Sequence, residues 1–454
     1  MNDIFNLQHS NELRSSSMLT FWRALYNLLF PLFLLAAWLV GKFNPKVKAT
    51  LQGRQNLFFN LAKQVKMLPP TRKRIWFHVA SVGEFEQARP LISKLRKENN
   101  WAIIVSFLSV SGYEARKNFP DADLVCYLPE DTPENARQFC ALIQPQVAVV
   151  VRYDFWLNHL LEAKRVGATL ILISASVQAK SNYFKPILKS FYQTLFSCFD
   201  KIFTVTERDA HLFQNEFNHR AIEAAGDTRY DQVFERSRQR SRIAHLEKFY
   251  QGKQTLIGGS TWQVDEELLL QAFTRLNTNL NTRLKHVALI LAPHELGKAN
   301  LARLESLLNV MNLPFARASN LPADFSSVRV LIVDEMGYLA ELYSLASVAY
   351  IGGGFGVNVH NTLEAAVHGV PVLFGGTIHK SREAKELAES GGGFIVTEVS
   401  LQSTLKMLFE NDDARHHAGR KAAQFVAVRL GATEKILNYL TTLEIASTRK
   451  HDAK

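Results

Sequence analysis

From residue 75 onward, short apolar runs alternate with longer amphipathic stretches. Ile75-Trp-Phe-His-Val-Ala80, Ala102–Phe107, Val147–Val151, Thr169–Ile173 and Lys201–Val205 read as buried strands, with helical periodicity between them. A second series follows at Thr255–Gly259, Val287–Ala292, Val328–Val333, Val348–Ile351, Val370–Phe374 and Gly393–Val396. Strands that alternate with helices predict parallel sheets covered on both faces. Two such series in 454 residues predict two doubly wound, Rossmann-like α/β domains. The charged, strand-poor segment from Phe234 to His245 marks the expected boundary, with one domain at 46–235, a second at 245–412, and a helical segment with a polar tail at 413–454. Ligands of such sheets bind beyond the carboxyl ends of the strands, so a site is expected in a cleft that the two sheets face.

The N-terminal pattern is different. Tyr26 to Val40 is apolar nearly throughout, and extension back through Leu19-Thr-Phe-Trp22 approaches the length of a membrane span, with Arg23 snorkelling to the interface. Gly41-Lys-Phe-Asn offers no small-x-small cleavage site, so an uncleaved anchor is expected within residues 1–45. Between Gly41 and Ile75 lie nine Lys or Arg and no acid, which places everything after the anchor on the cytoplasmic side of an anionic membrane. The net charge of +11 is not accompanied by aromatic-interleaved basic motifs or zinc-finger spacing, so an anionic lipid surface or substrate is expected and nucleic acid is not. Cys126, Cys140 and Cys198 have no C-x-x-C spacing, which suggests neither a disulfide framework nor a metal site.

Candidate chemistry gathers at strand ends. Glu84, in His78-Val-Ala-Ser-Val-Gly-Glu84, sits where the first strand turns into a helix; it suits a general base and equally an acid that neutralises the helix dipole, with Glu86 as the nearby competitor. Asp154 follows another buried strand, and Arg229 lies in the glycine-led turn Gly226-Asp-Thr-Arg-Tyr-Asp231; a transition-state role or a structural ion pair fits both. In the second series, Pro293 and His294, the Asp334–Leu339 segment with Met336, Gly337 and Tyr338, and the stretch Tyr350-Ile-Gly-Gly-Gly-Phe to Gly376 all follow strands. The glycines are expected to let backbone amides approach a phosphate, with Asn361 and Glu364 on the next helix and Glu364 able to receive two ribose hydroxyls. Ser260-Thr-Trp262 is a further candidate hydroxyl pair.

Taken together, Ala80-Ser-Val-Gly-Glu84, Gly226-Asp-Thr-Arg-Tyr-Asp231 and the Gly353–Ala366 series resemble the 3-deoxy-D-manno-octulosonic acid (Kdo) transferases. These are membrane-anchored glycosyltransferases of lipopolysaccharide assembly with the GT-B fold. The resemblance implies an inverting transfer of Kdo from CMP-Kdo to the lipid A precursor lipid IVA at the cytoplasmic side of the inner membrane, with no metal and no cofactor beyond the donor. It further implies Glu84 as the base, Asp154 and Arg229 as groups that stabilise the transition state, and CMP contacts at Pro293, His294, Met336, Gly337, Tyr338, Asn361, Thr362, Leu363 and Glu364. The chain carries Asp154 where many members have Glu, Arg229 where they have Lys, Pro293-His-Glu for Pro-Arg-His-Pro, and Met336-Gly-Tyr for Met-Gly-Glu. A helix crossing back to the first domain is expected by analogy with GT-B proteins. Another nucleotide-sugar enzyme of this fold, such as a UDP-sugar transferase or epimerase, and a non-catalytic membrane adaptor are the alternatives. If the anchor is only a tether, deletion of the first forty residues leaves turnover of a soluble acceptor intact and weakens activity on vesicles.

Overall fold

The computed structural model describes residues 2–177, 181–277 and 286–452. The chain divides into two compact units, one formed by residues 1–232 with 431–454 and the other by 233–430.

The first unit is built on a parallel sheet of β1 (Lys73–Val79), β2 (Trp101–Phe107), β3 (Leu124–Tyr127), β4 (Val147–Val151), β5 (Thr169–Ala175), β6 (Lys201–Thr204) and β7 (Ile222–Ala224). Their order is β3-β2-β1-β4-β5-β6-β7. Strand order reverses between β1 and β4, which pair through Ile75–Val147 to His78–Val150. The crevice for a ligand therefore opens past Val79 and Val151. Val147 to Val151 are all buried because helices cover both faces of the sheet.

The second unit repeats the plan with β8 (Thr255–Thr261), β9 (Ala288–Pro293), β10 (Phe315–Arg317), β11 (Val330–Ile332), β12 (Val348–Ile351), β13 (Val372–Gly375) and β14 (Gly393–Val396). The order β10-β11-β9-β8-β12-β13-β14 reverses between β8 and β12.

The segment expected as one C-terminal piece, 413–454, is shared between the units. The helix Asp412–Ala427 stays in the second, whereas Ala432–Asp452 packs its Ile436, Leu437 and Leu440 into the core of the first. Asp231 fixes that return by accepting from the amides of Gly431 and Thr433 and from the Thr433 hydroxyl, each at 2.7 Å. The residues after Thr442 continue this helix as far as Asp452.

The N-terminal helix Asn2–Gly41 includes a stretch, Ser17–Gly41, long and apolar enough to cross a bilayer. Arg23 does not snorkel: it lies 3.5 Å from Glu162 of the helix Leu157–Arg165. Asp131 caps that helix from a distance, accepting from the amides of Asn158 and His159 at 3.1 and 2.9 Å and pairing with the His159 ring at 2.5 Å. Asn158 then donates to Asn27 at 2.8 Å, tying the N-terminal helix to the capped one. Two of the nine basic residues also turn inward, Arg54 onto the carbonyls of Leu108 and Leu128 and Arg74 onto those of Leu142 and Ile143.

The N-terminal helix is thus packed against the first unit, and its removal reaches that unit's interior. Asn27→Leu leaves a buried Asn158 N–H without its acceptor, at a cost of about 1–3 kcal/mol. Urea unfolding of the detergent-solubilised protein is expected to show a lower midpoint with unchanged slope, and an unchanged midpoint would contradict the docking.

Candidate active site

Ser81 ends β1 in an extended conformation and caps the helix Val82–Glu98, accepting from the Gly83 amide at 3.2 Å. Ser-x-x-Glu is the spacing of a capping box, and the Ser81 hydroxyl hydrogen-bonds to the Glu84 carboxylate. Glu84 is half-buried and, among the described residues, forms no ion pair. Its competitor is fully engaged: Glu86 takes Arg89 at 3.2 Å, Arg116 at 2.8 Å and the Gln232 amide at 2.5 Å. Glu84 is therefore the carboxylate of this pair that is available at the end of β1.

Asp154 stands past the adjacent strand end, 2.8 Å from His78 Nε2. His78 is buried on β1, and its Nδ1 meets the Ser106 hydroxyl at 2.9 Å. Trp76 donates to the same oxygen at 2.8 Å. With Trp76 donating to it, Ser106 can direct its own proton to His78 Nδ1, which leaves Nε2–H for Asp154. This chain from Trp76 to Asp154 fixes the carboxylate direction.

Arg229 is held by Asp227 through Nε at 2.9 Å and a terminal nitrogen at 2.8 Å, while the Arg229 amide donates to the other carboxylate oxygen at 2.9 Å. Burial raises the Asp227 pKa, but the charge and hydrogen bonds of Arg229, with the charge of Arg152, outweigh it and hold the carboxyl below its ordinary range. The motif thus divides its tasks. Gly226 adopts φ 108°, Asp227 orients the cation, Thr228 bonds the Gln87 carbonyl at 2.6 Å, and Asp231 anchors the C-terminal helix. Arg152 itself sits at φ 65° just past β4, a left-handed conformation unusual for arginine.

In the second unit the glycine loop follows β12. A Cβ on Gly352 would lie 2.2 Å from the Ser260 carbonyl, and one on Gly354 would lie 2.5 Å from the Gly375 amide, so neighbouring backbones require both glycines. The expected phosphate-binding amides are partly committed elsewhere. Gly352 N–H donates to Gly259, and Gly353 N–H donates to the buried Asp265 at 2.8 Å. Asp265 also takes the Tyr350 hydroxyl at 2.6 Å and the Trp262 amide at 2.9 Å, so it organises the loop. The helix after the loop is the single turn Leu363–Ala366, with Asn361 accepting from the Leu363 amide at 3.1 Å, and Thr362 and Leu363 buried beside it.

Glu364 meets Arg236 at 3.4 Å. Arg236 and Arg242 both donate to the Gly337 carbonyl, at 3.2 and 2.9 Å, beside the exposed Met336 and the buried Tyr338. At the end of β9, Pro293 leads into His294, whose ring stacks on Trp262 and on His360 with centroids 4.6 and 4.4 Å away. Trp262 Nε1 donates to His360 Nε2 at 3.0 Å, which makes that nitrogen an acceptor. Burial, and then the neighbouring His294, lower the His360 pKa. The structure thus places Asn361 to Glu364, Gly337 and His294 around the carboxyl ends of β8, β9 and β12. Arg236, Arg242, Asp265 and the Trp262–His360 stack escaped sequence reasoning. The alternating arginines from 236 to 242 were the available signal, and they read as a linker.

Comparison with known proteins bears on this arrangement. Residues 54–232 match the family profile described as 3-deoxy-D-manno-octulosonic-acid transferase. The protein of that name from Chlamydophila psittaci is 28% identical over 412 residues, covering 88% of this chain and 93% of its own. Its namesake from Haemophilus influenzae is 23% identical over 92% of this chain and 98% of its own. Over most of its length this chain is similar to the Kdo transferases. In fold alone it is similar to the UDP-GlcNAc 2-epimerase of Neisseria meningitidis, with a TM-score of 0.57 at 14% identity over 81% of this chain and all of that one. A glycosyltransferase of Rickettsia africae gives 0.54 at 12% identity over 82% of this chain and 98% of that one. Both units of this chain are parallel α/β sheets, and its fold is of the GT-B type.

The lowered Asp227 pKa carries a sign. Its stabilising contribution is complete above the unfolded-state value near 3.9 and is lost as pH falls through the folded value. Asp227→Asn is expected to flatten the loss of stability as the pH falls below about 4, followed by urea midpoints; an acid limb identical to that of the wild type would contradict the assignment.

Proposed function

We propose that this chain is an inverting glycosyltransferase that moves Kdo from CMP-Kdo to a lipid A precursor, lipid IVA, at the cytoplasmic face of the inner membrane. Its similarity to the Kdo transferases supports the sugar and the lipopolysaccharide setting. The observation that carries the mechanism is Glu84, a carboxylate clear of cations at the strand-order reversal, next to a strand end bearing the oriented Asp154.

In the proposed reaction a hydroxyl oxygen of the acceptor attacks the anomeric carbon of Kdo. The bond from that carbon to the CMP phosphate oxygen breaks, CMP leaves with the electron pair, and the hydroxyl proton passes to Glu84. One displacement from the face opposite the leaving group inverts the anomeric centre. The Kdo carboxylate adjoins the reacting carbon, and Arg229, already aimed by Asp227, is the cation assigned to it. His78 orients Asp154 beside the developing positive charge.

The nucleotide falls to the second unit. Glu364 receives the ribose hydroxyls, the His294–Trp262–His360 stack lies at the neighbouring strand ends, and Asn361, Thr362 and Leu363 shape the turn between them. Two glycine-loop amides are internally bonded, so charge on the departing phosphate is assigned to the Arg236 and Arg242 guanidiniums that converge on Gly337. Such a site is expected to work in the presence of chelator, with no metal or further cofactor.

Glu84→Gln is expected to lower kcat by about 10²–10⁴-fold with little change in CMP affinity. Equal turnover in that variant would remove the base. Glu364→Ala is expected to weaken CMP binding by about 10–100-fold in calorimetry, the range of a hydrogen bond to a charged group. If UDP binds the wild type more tightly than CMP, a UDP-sugar enzyme replaces this reading.

A further inference from the structure

The N-terminal helix carries two opposed faces. Trp22, Arg23, Tyr26, Asn27 and Phe30 lie within one arc of the helix and dock on the first unit. Trp22 donates to Ser190 at 3.3 Å and its ring meets Phe191 at 5.5 Å, Arg23 pairs with Glu162, Asn27 accepts from Asn158, and Phe30 meets Trp156 at 6.2 Å. Phe21, Leu28, Leu32, Leu35 and Leu39 form an exposed apolar stripe on the opposite side. At 1.5 Å per residue that stripe runs about 27 Å, nearly the thickness of a bilayer's hydrocarbon core.

A crossing helix is incompatible with where the chain is tied down. Residues 22–30 are docked on the first unit, and the chain that leaves the helix at Gly41 is tied to the same unit again at Arg54, which binds the carbonyls of Leu108 and Leu128, and at Leu61, which joins its core. If residue 41 marked the cytoplasmic interface, residues 22–30 would stand deep in the bilayer or beyond it. They would carry the Arg23–Glu162 pair and the buried Asp131–His159 cap with them. If residue 22 marked that interface, the chain from Pro45 onward would emerge on the far side, away from the sheet it belongs to.

Resting on the proposed work at an inner-membrane surface, we propose that this helix does not cross the bilayer: it lies along the lipid surface with its exposed stripe sunk into one leaflet, so the first unit is seated on the membrane as a monotopic protein. The occupant of the stripe is the acyl region of an anionic leaflet. Neighbouring elements fit that seat. Ile187 and Leu188 are exposed on the helix Pro186–Phe196 that carries Ser190 and Phe191, and Phe59 is exposed on the helix Leu57–Val65. Lys42 lies 3.9 Å over the Trp38 ring and Lys63 4.1 Å over Phe59, so these two exposed aromatics each carry a cation suited to a lipid phosphate.

Single cysteines at Met18, Leu32 and Val399 of the full-length protein, produced in a Gram-negative host, test the topology with a membrane-impermeant maleimide. Background is low because Cys126, Cys140 and Cys198 are buried, with thiol pKa values pushed up to about 12, 12 and 11. Met18 and Val399 are both exposed, and Val399 reports the side on which the second unit lies. The proposal expects Met18→Cys and Val399→Cys to be protected in spheroplasts and to react in inside-out vesicles, with Leu32→Cys protected in both until detergent is added. Labelling of Met18→Cys in spheroplasts while Val399→Cys stays protected would show a crossing helix and overturn the proposal. Recovery of the protein in the soluble fraction, with Leu32→Cys reacting as fast as Val399→Cys, would overturn membrane seating itself.

Discussion

Every strand in both sheets runs parallel to its neighbours, and this constraint decides where chemistry can stand. Parallel strands need crossovers, so all their carboxyl ends share one edge, and a crevice is left where the strand order reverses. In the first unit the reversal lies between β1 and β4, and the next residues along the chain supply Glu84 and Asp154. In the second it lies between β8 and β12, which places Trp262 opposite the glycine loop.

A second layer of order comes from buried and half-buried acids that each take both backbone and side-chain donors. Asp131 caps a helix from outside it, Asp227 aims Arg229, Asp231 fastens the C-terminal helix, and Asp265 shapes the glycine loop. A buried carboxylate is tolerable only when its oxygens are paired, so these acids specify local geometry as well as stabilise it. His78 performs a similar service for Asp154, itself held by the Ser106 hydroxyl that the Trp76 indole also meets. The candidate groups are thereby held on strand ends and helix starts, where side-chain directions are well defined.

The strands buried on both faces were legible in the sequence because they form continuous apolar runs. Those missed, β3, β7 and β10, are short edge strands of four, three and three residues, with an acid in Ile222-Glu-Ala and a terminal arginine in Phe315-Ala-Arg. Glu84, Asp154 and Arg229 could be singled out because each follows a strand or a glycine-led turn. Longer ties could not, since His78 meets Asp154, Glu86 meets Arg116 and Asn158 meets Asn27 across 76, 30 and 131 residues of chain. The glycine loop was visible, but Gly352 and Gly354 answer first to close backbone approach, and the buried Asp265 that takes the Gly353 amide leaves no local pattern. The apolar run likewise revealed the N-terminal helix without showing its docked side, because Arg23 and Asn27 look like interruptions until Glu162 and Asn158 are brought beside them.

The most direct test of the account is the stereochemistry of transfer. Purified full-length protein in detergent, given CMP-Kdo and lipid IVA with chelator present, would be followed by mass spectrometry for addition of Kdo and by NMR for the anomeric configuration of the new linkage. A product whose anomeric configuration is opposite to that of the donor would support a single displacement assisted by one base. Retention of configuration, or no product although CMP binds, would contradict it.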